Sequence, residues 1–264
     1  MPPPTLAHMR CSICLLSALC ALVVTAPVAP AAAATHRPAH LSVLVTNDDG
    51  VAAPGIDALV QALRRQPALT VTVVAPAKNQ SGTGGKTTAG TLKAIRSRTK
   101  SGYPATAVAG YPADTITYAL AHQFRRRKPD LVLSGINFGQ NIGPFVGISG
   151  TVGAALAAGK RGVPALATSQ GVGSPTNFPA GVKQTIAWLV ANRAHLHRGR
   201  VVSINTPTCS KGHVRGILGA TVAASYGSND PFGAVDCSTT ARPASGSDVA
   251  EYYAGYATIG VLRR

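Results

Sequence analysis

The sequence predicts an α/β protein built on a mostly parallel central sheet. Short apolar, β-branched runs alternate along the chain with stretches whose apolar residues recur at helical spacing. Such alternation yields β-α-β units, in which successive strands are parallel and the crossover is right-handed. Three of the apolar runs also stop at polar or glycine-rich turns. The carboxyl ends of strands in open parallel sheets are where ligands bind, so we expect a functional site along that edge.

The first predicted strand, Leu41–Val45, is followed by Asn47, two adjacent aspartates, Asp48 and Asp49, and then Gly50. Like charges repel, and burial strengthens that repulsion, so we expect a cation between the two carboxylates. A divalent metal is the simplest candidate because hard cations prefer carboxylate oxygens. The alternative is a solvated loop in which Asp48 caps the next helix.

Further elements follow in alternation. The next predicted strands are Leu69–Ala75, Asp130–Ser134, Val163–Ser169 and Val201–Asn205, and the predicted helices are Ile56–Arg65, Tyr111 to about Phe124, Val152–Ala158 and Phe178–Asn192. Beyond residue 207 the chain is rich in Gly, Ser and Thr and poor in helix signals. Its apolar and aromatic residues from Tyr252 to Leu262 suggest extended segments, with a hairpin arm and a last strand.

The loop Ala77–Gly90 follows the second strand and is interpreted as an active-site loop that offers Ser81 and backbone amides. Its segment Gly84–Thr87 resembles a phosphate-binding P-loop, but Gln80 stands where that motif requires its first glycine. An NTPase loop is therefore excluded.

The third strand is predicted to end in a glycine-rich turn, Gly135–Gly143, which contains Asn137 and Asn141. Ser149, Gly150 and Thr151 then open an Ala-rich helix. Because a helix N-terminus presents free N–H groups and a positive dipole end, we expect an anion site there. An ordinary Ser or Thr N-cap is the alternative, and both interpretations can hold together.

The first forty residues predict an exported protein. Arg10 precedes an apolar run, Cys11–Val28, and four alanines, Ala31–Ala34, follow it, as in a secretory signal peptide. Pro27 and Pro30 interrupt the run, which argues against a membrane anchor. We expect cleavage near Ala34, a mature chain of residues 35–264 without a membrane span, and a secreted or periplasmic location.

Cysteine usage suggests one disulfide. Three of the five cysteines lie in the predicted signal, which leaves Cys209 and Cys237. A pair of cysteines in an exported chain favours a disulfide over two free, buried thiols.

The formal net charge of +16 favours anionic substrates and surfaces. The basic residues are scattered apart from Arg125–Lys128, which we interpret as a solvated helix end. Aromatic residues make up only 5% of the chain, too few for a platform on which single-stranded bases stack. We therefore expect no specific nucleic-acid binding.

At this point the sequence resembles the SurE family of nucleotidases, over about residues 41–169 and more faintly over 201–207 and 247–262. The matching segments are Asn47–Val51, Ala53–Gly55, Val74–Pro76, Asn79–Gly82, Tyr111–Asp114, Ser134–Asn137, Gln140–Gly143 and Ser149–Val152. The sequence departs from the family at Tyr111, where Thr is usual, and at Ala157, where Glu is usual.

The resemblance implies a three-layer α/β/α Rossmann-like core, about residues 41–207, with an extended C-terminal arm, about 208–264. It implies that subunits exchange this arm in a homodimer or tetramer. It also implies a 5′/3′-nucleotidase that hydrolyses nucleoside monophosphates, and some members are associated with short polyphosphate.

The resemblance further implies one divalent ion, Mg²⁺ or Mn²⁺. Its ligands carry over to Asp48, Asp49, Ser81 and Asn137. In the mechanism that we expect, Asp48, Asp49 and Asn141 act in catalysis, and the phosphate oxygens are bound by Asn141, Ser149, Gly150 and Thr151. An exported polyanion-binding or nucleic-acid-binding protein on an inactive scaffold, and a short-chain exopolyphosphatase, are the alternative functions.

Overall fold

Eleven strands and six helices are present in the part of the chain that a computed structural model describes, which is residues 1, 39–173, 178–243 and 246–263. The strands are β1 (Leu41–Thr46), β2 (Leu69–Pro76), β3 (Lys93–Arg98), β4 (Pro104–Ala109), β5 (Leu131–Phe138), β6 (Ala165–Gln170), β7 (Val201–Thr206), β8 (Cys209–Gly212), β9 (Ile217–Gly219), β10 (Val235–Cys237) and β11 (Ala257–Leu262). The helices are α1 (Pro54–Arg64), α2 (Pro112–His122), α3 (Phe145–Ile148), α4 (Gly150–Lys160), α5 (Phe178–Asn192) and α6 (Asp248–Tyr253).

The main sheet has the order β3-β4-β2-β1-β5-β6-β7-β11-β9. The six strands from β4 to β7 in that order run parallel, whereas β3 pairs antiparallel with β4 and β11 pairs antiparallel with β7. The mostly parallel sheet that the sequence predicts is therefore confirmed.

Apolar clusters cover both faces of this sheet. On one face, Val43 and Val45 of β1 pack in a cluster that includes Leu59 of α1 and Leu189 of α5. On the other face, Leu44 lies in a cluster formed with α2 and α4. Neighbouring residues of a strand point to opposite faces, so a strand covered on both sides is apolar throughout. The three-layer α/β/α arrangement is confirmed.

Two predicted boundaries near the site are corrected. Strand β5 does not stop at Ser134 but continues to Phe138, so Asn137 lies in the strand and not in a turn. Its pairing with β6 shifts register between Ser134 and Asn137, and this irregularity accommodates the glycine that suggested a turn. The strands β3 and β4 were not predicted, because β3 is an edge strand with mostly exposed, partly charged residues.

The C-terminal region is more ordered than an extended arm. Tyr252 and Tyr253 lie in helix α6, which Ser247 caps by accepting a hydrogen bond from the Ala250 N–H, so the prediction of an extended segment there is wrong. The predicted last strand is present as β11. The predicted disulfide between Cys209 and Cys237 is also present, with the two Cα atoms 5.5 Å apart.

The predicted signal peptide, residues 1–34, lies almost wholly outside the described residues. None of the helices in the described part of the chain is long and apolar enough to cross a membrane.

Candidate active site

The two adjacent aspartates lie at the carboxyl end of β1, where the sequence predicted them. Asp48 is only 2% exposed, and Asp49 is partly buried. Burial raises the pKa of Asp48 above its usual range. Burial, and then the charge of Asp48, raise the pKa of Asp49 to about 6. The charged forms of both carboxylates are therefore destabilised, and a cation beside the pair would stabilise them.

The start of helix α4 faces Asp48. The Thr151 hydroxyl donates to Asp48 Oδ1 at 2.5 Å, and the backbone N–H groups of Thr151 and Gly150 oppose the rise in the pKa of Asp48. A Cβ atom at position 150 would lie 2.9 Å from Asp48 Oδ2 and 2.9 Å from the Pro112 ring. Only glycine permits this close approach of the helix to the carboxylate.

Asp49 is bonded to the segment of Asn137. The Phe138 N–H donates to Asp49 Oδ2 at 3.0 Å. The neighbouring Asn137 donates its side-chain N–H to the Gly139 carbonyl at 2.6 Å. That bond fixes which end of the amide is the donor, and the Asn137 carbonyl oxygen remains as the atom that can ligate a cation.

The loop of Ser81 is bonded to the same centre. The Gln80 N–H donates to the Asp48 carbonyl at 2.7 Å, and the Gly84 N–H donates to the Ile148 carbonyl at 2.8 Å. Ser81 itself is exposed, and its N–H donates to Asn79 Oδ1 at 2.9 Å. The segments that carry all four predicted metal ligands thus meet at one edge of the sheet. That these side chains bind a metal remains a prediction.

The predicted phosphate-binding residues have partners within the protein. Asn141 is buried; its backbone N–H donates to Asn205 Oδ1 at 2.7 Å and its side-chain N–H to Ser169 Oγ at 2.8 Å. Ser149 Oγ accepts from the Val152 N–H, so the N-cap interpretation is confirmed. The anion that faces this helix end within the chain is Asp48, which makes the dipole a stabiliser of the acid pair. Phosphate binding by Asn141, Ser149, Gly150 and Thr151 stays a prediction.

Sequence reasoning missed two side chains that hold the site's loop. Asn205, at the end of β7, accepts from the Asn141 N–H. Asp248 accepts from the Gly143 N–H at 2.9 Å and from the Ala223 N–H at 2.8 Å. Asn205 could have been suspected, because a buried amide that ends an apolar strand needs a polar partner.

The donor set fits a hard divalent cation. Two carboxylates, a hydroxyl and an amide carbonyl are all oxygen donors of the kind that Mg²⁺ and Mn²⁺ take. A buried oxygen beside the pair, Asn47 Oδ1, has no hydrogen-bond partner in the described part of the chain. No group of three or more His, Cys, Asp and Glu residues suited to a metal occurs among the described residues. The proposed site instead combines two carboxylates with a serine hydroxyl and an asparagine amide.

Comparison with known proteins connects these features to one family. Residues 43–229 match the family described as Survival protein SurE. The 5′-nucleotidase SurE 1 of Burkholderia lata is 45% identical over 134 residues, which are 51% of this chain and 50% of that protein. The 5′-nucleotidase SurE of Desulfovibrio desulfuricans is 39% identical over 177 residues, 64% of this chain and 67% of the relative. The alignment thus spans only about half the length of the Burkholderia protein.

A solved structure agrees in fold. The crystal structure of the SurE protein from Aquifex aeolicus superimposes with a TM-score of 0.70 at 27% sequence identity, and the superposition covers 84% of this chain and 93% of that one. With the family match over most of the sheet and the acid pair at its edge, the chain belongs to the SurE family.

Proposed function

We propose that the protein is a metal-dependent phosphomonoesterase that hydrolyses nucleoside 5′- or 3′-monophosphates to nucleoside and phosphate. The observation that carries the proposal is the buried, repelling pair Asp48 and Asp49 at the carboxyl edge of the sheet. Retaining such a pair costs stability, which is typical of functional carboxylates. Relatives that bear the name 5′-nucleotidase support a nucleotide substrate.

In this proposal Asp48, Asp49, Ser81 and Asn137 hold one Mg²⁺ or Mn²⁺. When bound, such an ion draws charge from the phosphoryl oxygens and lowers the pKa of a water molecule. The acid pair is suited to the ion because a cation beside it offsets both the desolvation cost of the buried charges and the mutual repulsion of the two carboxylates.

The chain's own groups position the phosphate and handle the proton. In this proposal the second side-chain N–H of Asn141 and the Ser149 hydroxyl donate to phosphate oxygens as charge builds on them. The N–H groups of Gly150 and Thr151, which interact with Asp48, add positive potential at the same place. The Phe138 N–H donates to one Asp49 oxygen. The other Asp49 oxygen accepts a proton from the attacking water. The new P–O bond forms as the ester P–O bond breaks, and the ester oxygen leaves with the bonding electron pair and takes up a proton from solvent, which yields the nucleoside.

Two further parts of the proposal rest on the sequence and the family resemblance. The mature protein is exported after cleavage near Ala34, and it assembles as a homodimer or tetramer through residues 208–264.

One assay tests the proposed function. The mature protein is incubated with a panel of nucleoside monophosphates, a generic phosphoester and short polyphosphate, with EDTA or with added Mg²⁺ or Mn²⁺. We expect phosphate release from nucleoside monophosphates that EDTA abolishes and either metal restores.

The net charge of +16 favours one rival function, the binding of polyanions on an inactive scaffold. DNA binding that weakens steeply with salt, without any metal-stimulated phosphatase activity, would establish that rival. Preference for polyphosphate over nucleotides would instead indicate an exopolyphosphatase.

A further inference from the structure

An open pocket of about 590 Å³ is lined in part by Gln80, whose backbone N–H is bonded to the carbonyl of Asp48. Three segments form its walls: the residues after β2, the end of the Ser81 loop, and the turn between β4 and α2. The side chains and backbone that matter for its chemistry belong to Lys78, Gln80, Thr87, Thr88, Gly110 and Tyr111. None of the described residues that line it is acidic.

Two of its walls are continuous with the candidate active site. Gln80 donates its backbone N–H to the Asp48 carbonyl at 2.7 Å. Pro112, the residue after Tyr111, packs its ring against Gly150. A Cβ atom added at Gly150 would lie 2.9 Å from that ring and 2.9 Å from Asp48 Oδ2. The pocket therefore adjoins the segments that contact Asp48 and the start of α4.

A single buried carboxylate fixes the remaining walls to each other. Asp114, 3% exposed, accepts from the Tyr111 N–H at 2.9 Å, from the Thr88 N–H at 3.0 Å and from the Thr88 hydroxyl at 2.6 Å. These bonds join the turn before α2 to the end of the Ser81 loop. The pocket is therefore held in shape before a ligand arrives, which lowers the entropic cost of binding.

The walls suit a nucleoside better than a bare phosphate. The volume falls in the range of pockets that hold small organic ligands, about 300–1,000 Å³. Tyr111 lines the pocket and is partly exposed, and an aromatic ring can stack on a base. Thr87 supplies a hydroxyl for ribose, and Lys78 adds a cation to the lining.

We propose that this pocket binds the nucleoside of a nucleoside monophosphate, with the base stacked on Tyr111, and that Tyr111 sets the preference for nucleotides over simple phosphoesters. This inference rests on the proposed function, since it names the leaving group of that same reaction.

The test compares two substrates and four proteins in Mg²⁺ or Mn²⁺. Adenosine 5′-monophosphate carries a base, whereas glycerol 2-phosphate does not. We expect Tyr111→Ala to lower kcat/KM for the nucleotide at least about tenfold, in line with the effect of removing one stacking ring. The loss should appear chiefly as a higher KM, and activity on glycerol 2-phosphate should change less than about twofold. Tyr111→Phe, which keeps the ring, should restore nucleotide turnover.

Tyr118→Ala is the matched control, because Tyr118 lies in helix α2, which follows Tyr111, and its ring stacks on His122 at 4.2 Å and does not line the pocket. It should leave the ratio of the two activities unchanged. If Tyr111→Ala fails to fold, Tyr111→Leu replaces it, since leucine fills space without an aromatic face. Equal loss on both substrates, or no loss on either, would overturn the inference.

Calorimetric titration with adenosine separates this inference from the proposed function. A wild-type protein that hydrolyses neither ester but binds adenosine, with weaker binding by Tyr111→Ala, would support the pocket and refute the phosphatase. A protein that hydrolyses both esters at equal efficiency and does not bind adenosine would refute the pocket alone. Absence of both binding and hydrolysis would refute both.

Discussion

Two carboxylates of different character hold the ends of one segment, residues 138–143. At its start, the Phe138 N–H donates to Asp49 Oδ2 at 3.0 Å. At its end, the Gly143 N–H donates to Asp248 Oδ2 at 2.9 Å, and the Ala223 N–H donates to the other Asp248 oxygen at 2.8 Å. Asp248 thus commits both oxygens to backbone N–H groups, which oppose the rise in its pKa that burial causes. Burial also raises the pKa of Asp49, and the charge of the neighbouring Asp48 raises it further, to about 6.

This difference separates a structural carboxylate from a functional one. A buried carboxylate with both oxygens bonded to backbone N–H groups offsets much of its desolvation cost and stabilises the fold. Two adjacent buried carboxylates destabilise the metal-free protein, and they persist only where another requirement favours them. Asp48 and Asp49 therefore carry the chemistry in our proposal, and Asp248 positions the loop that completes the site.

The largest effect that we expect is on activity, in the variant Asp48→Asn. It removes one charge and one ligand of the proposed ion, which should lower kcat/KM for nucleoside monophosphates by about 10³-fold, since several kcal/mol of transition-state stabilisation are lost. The melting temperature should stay within a few degrees, because the lost repulsion with Asp49 offsets the lost hydrogen-bond acceptor.

The matched control for that variant is Asp236→Asn, which neutralises an exposed aspartate in β10. Steady-state phosphatase assays and thermal melts of both variants check the prediction. Near-normal activity of Asp48→Asn in excess Mg²⁺ or Mn²⁺ would show that the acid pair is not the metal site.

The second effect concerns the pH dependence of stability in EDTA. The pKa of Asp49 is raised in the folded state from 3.8 to about 6. The folded protein therefore binds more protons than the unfolded chain between these values, and the stability that Asp49 contributes falls as pH rises through about 6. The contribution is on the order of 3 kcal/mol.

Urea unfolding of the wild type and of Asp49→Asn, from pH 4 to pH 7 in EDTA, measures this contribution together with the effect of the Asp49 charge on Asp48, because the remaining titrating groups are common to both proteins. The variant should gain stability relative to the wild type as pH rises. Parallel curves would mean that Asp49 is not destabilised by its surroundings, and the contrast with Asp248 would disappear.

The sequence predicted the strands that both helical layers cover, because a strand buried on both faces contains consecutive apolar residues, as in Val43–Val45. It also predicted that the segments of Asp48, Ser81 and Asn137 meet, because parallel strands end at the same edge. The edge strand β3 escaped prediction since partly charged, exposed residues leave no apolar pattern.

The role of Asp248 could not be predicted from local patterns. Its carboxylate and the N–H that it accepts from belong to residues separated by 105 positions in the sequence, and only the folded chain brings them together. The same holds for Asn205 and Asn141, which are 64 positions apart.

The smallest effect that we expect concerns Asp248, the structural carboxylate of the comparison. Asp248→Asn keeps the size of the side chain but turns one acceptor into a donor, which then faces the N–H of Gly143 or Ala223. Leaving a buried N–H unpaired should cost about 1–3 kcal/mol in the free energy of unfolding, measured by urea titration. Activity should fall less than about tenfold, mainly in kcat, since the loop of Asn141 is displaced but its groups remain.

Asp48→Asn and Asp248→Asn should thus have opposite profiles: Asp48→Asn loses turnover and keeps stability, and Asp248→Asn loses stability and keeps most turnover. A loss of turnover by Asp248→Asn as deep as that of Asp48→Asn, with unchanged stability, would assign Asp248 to the chemistry and not to the support of the loop.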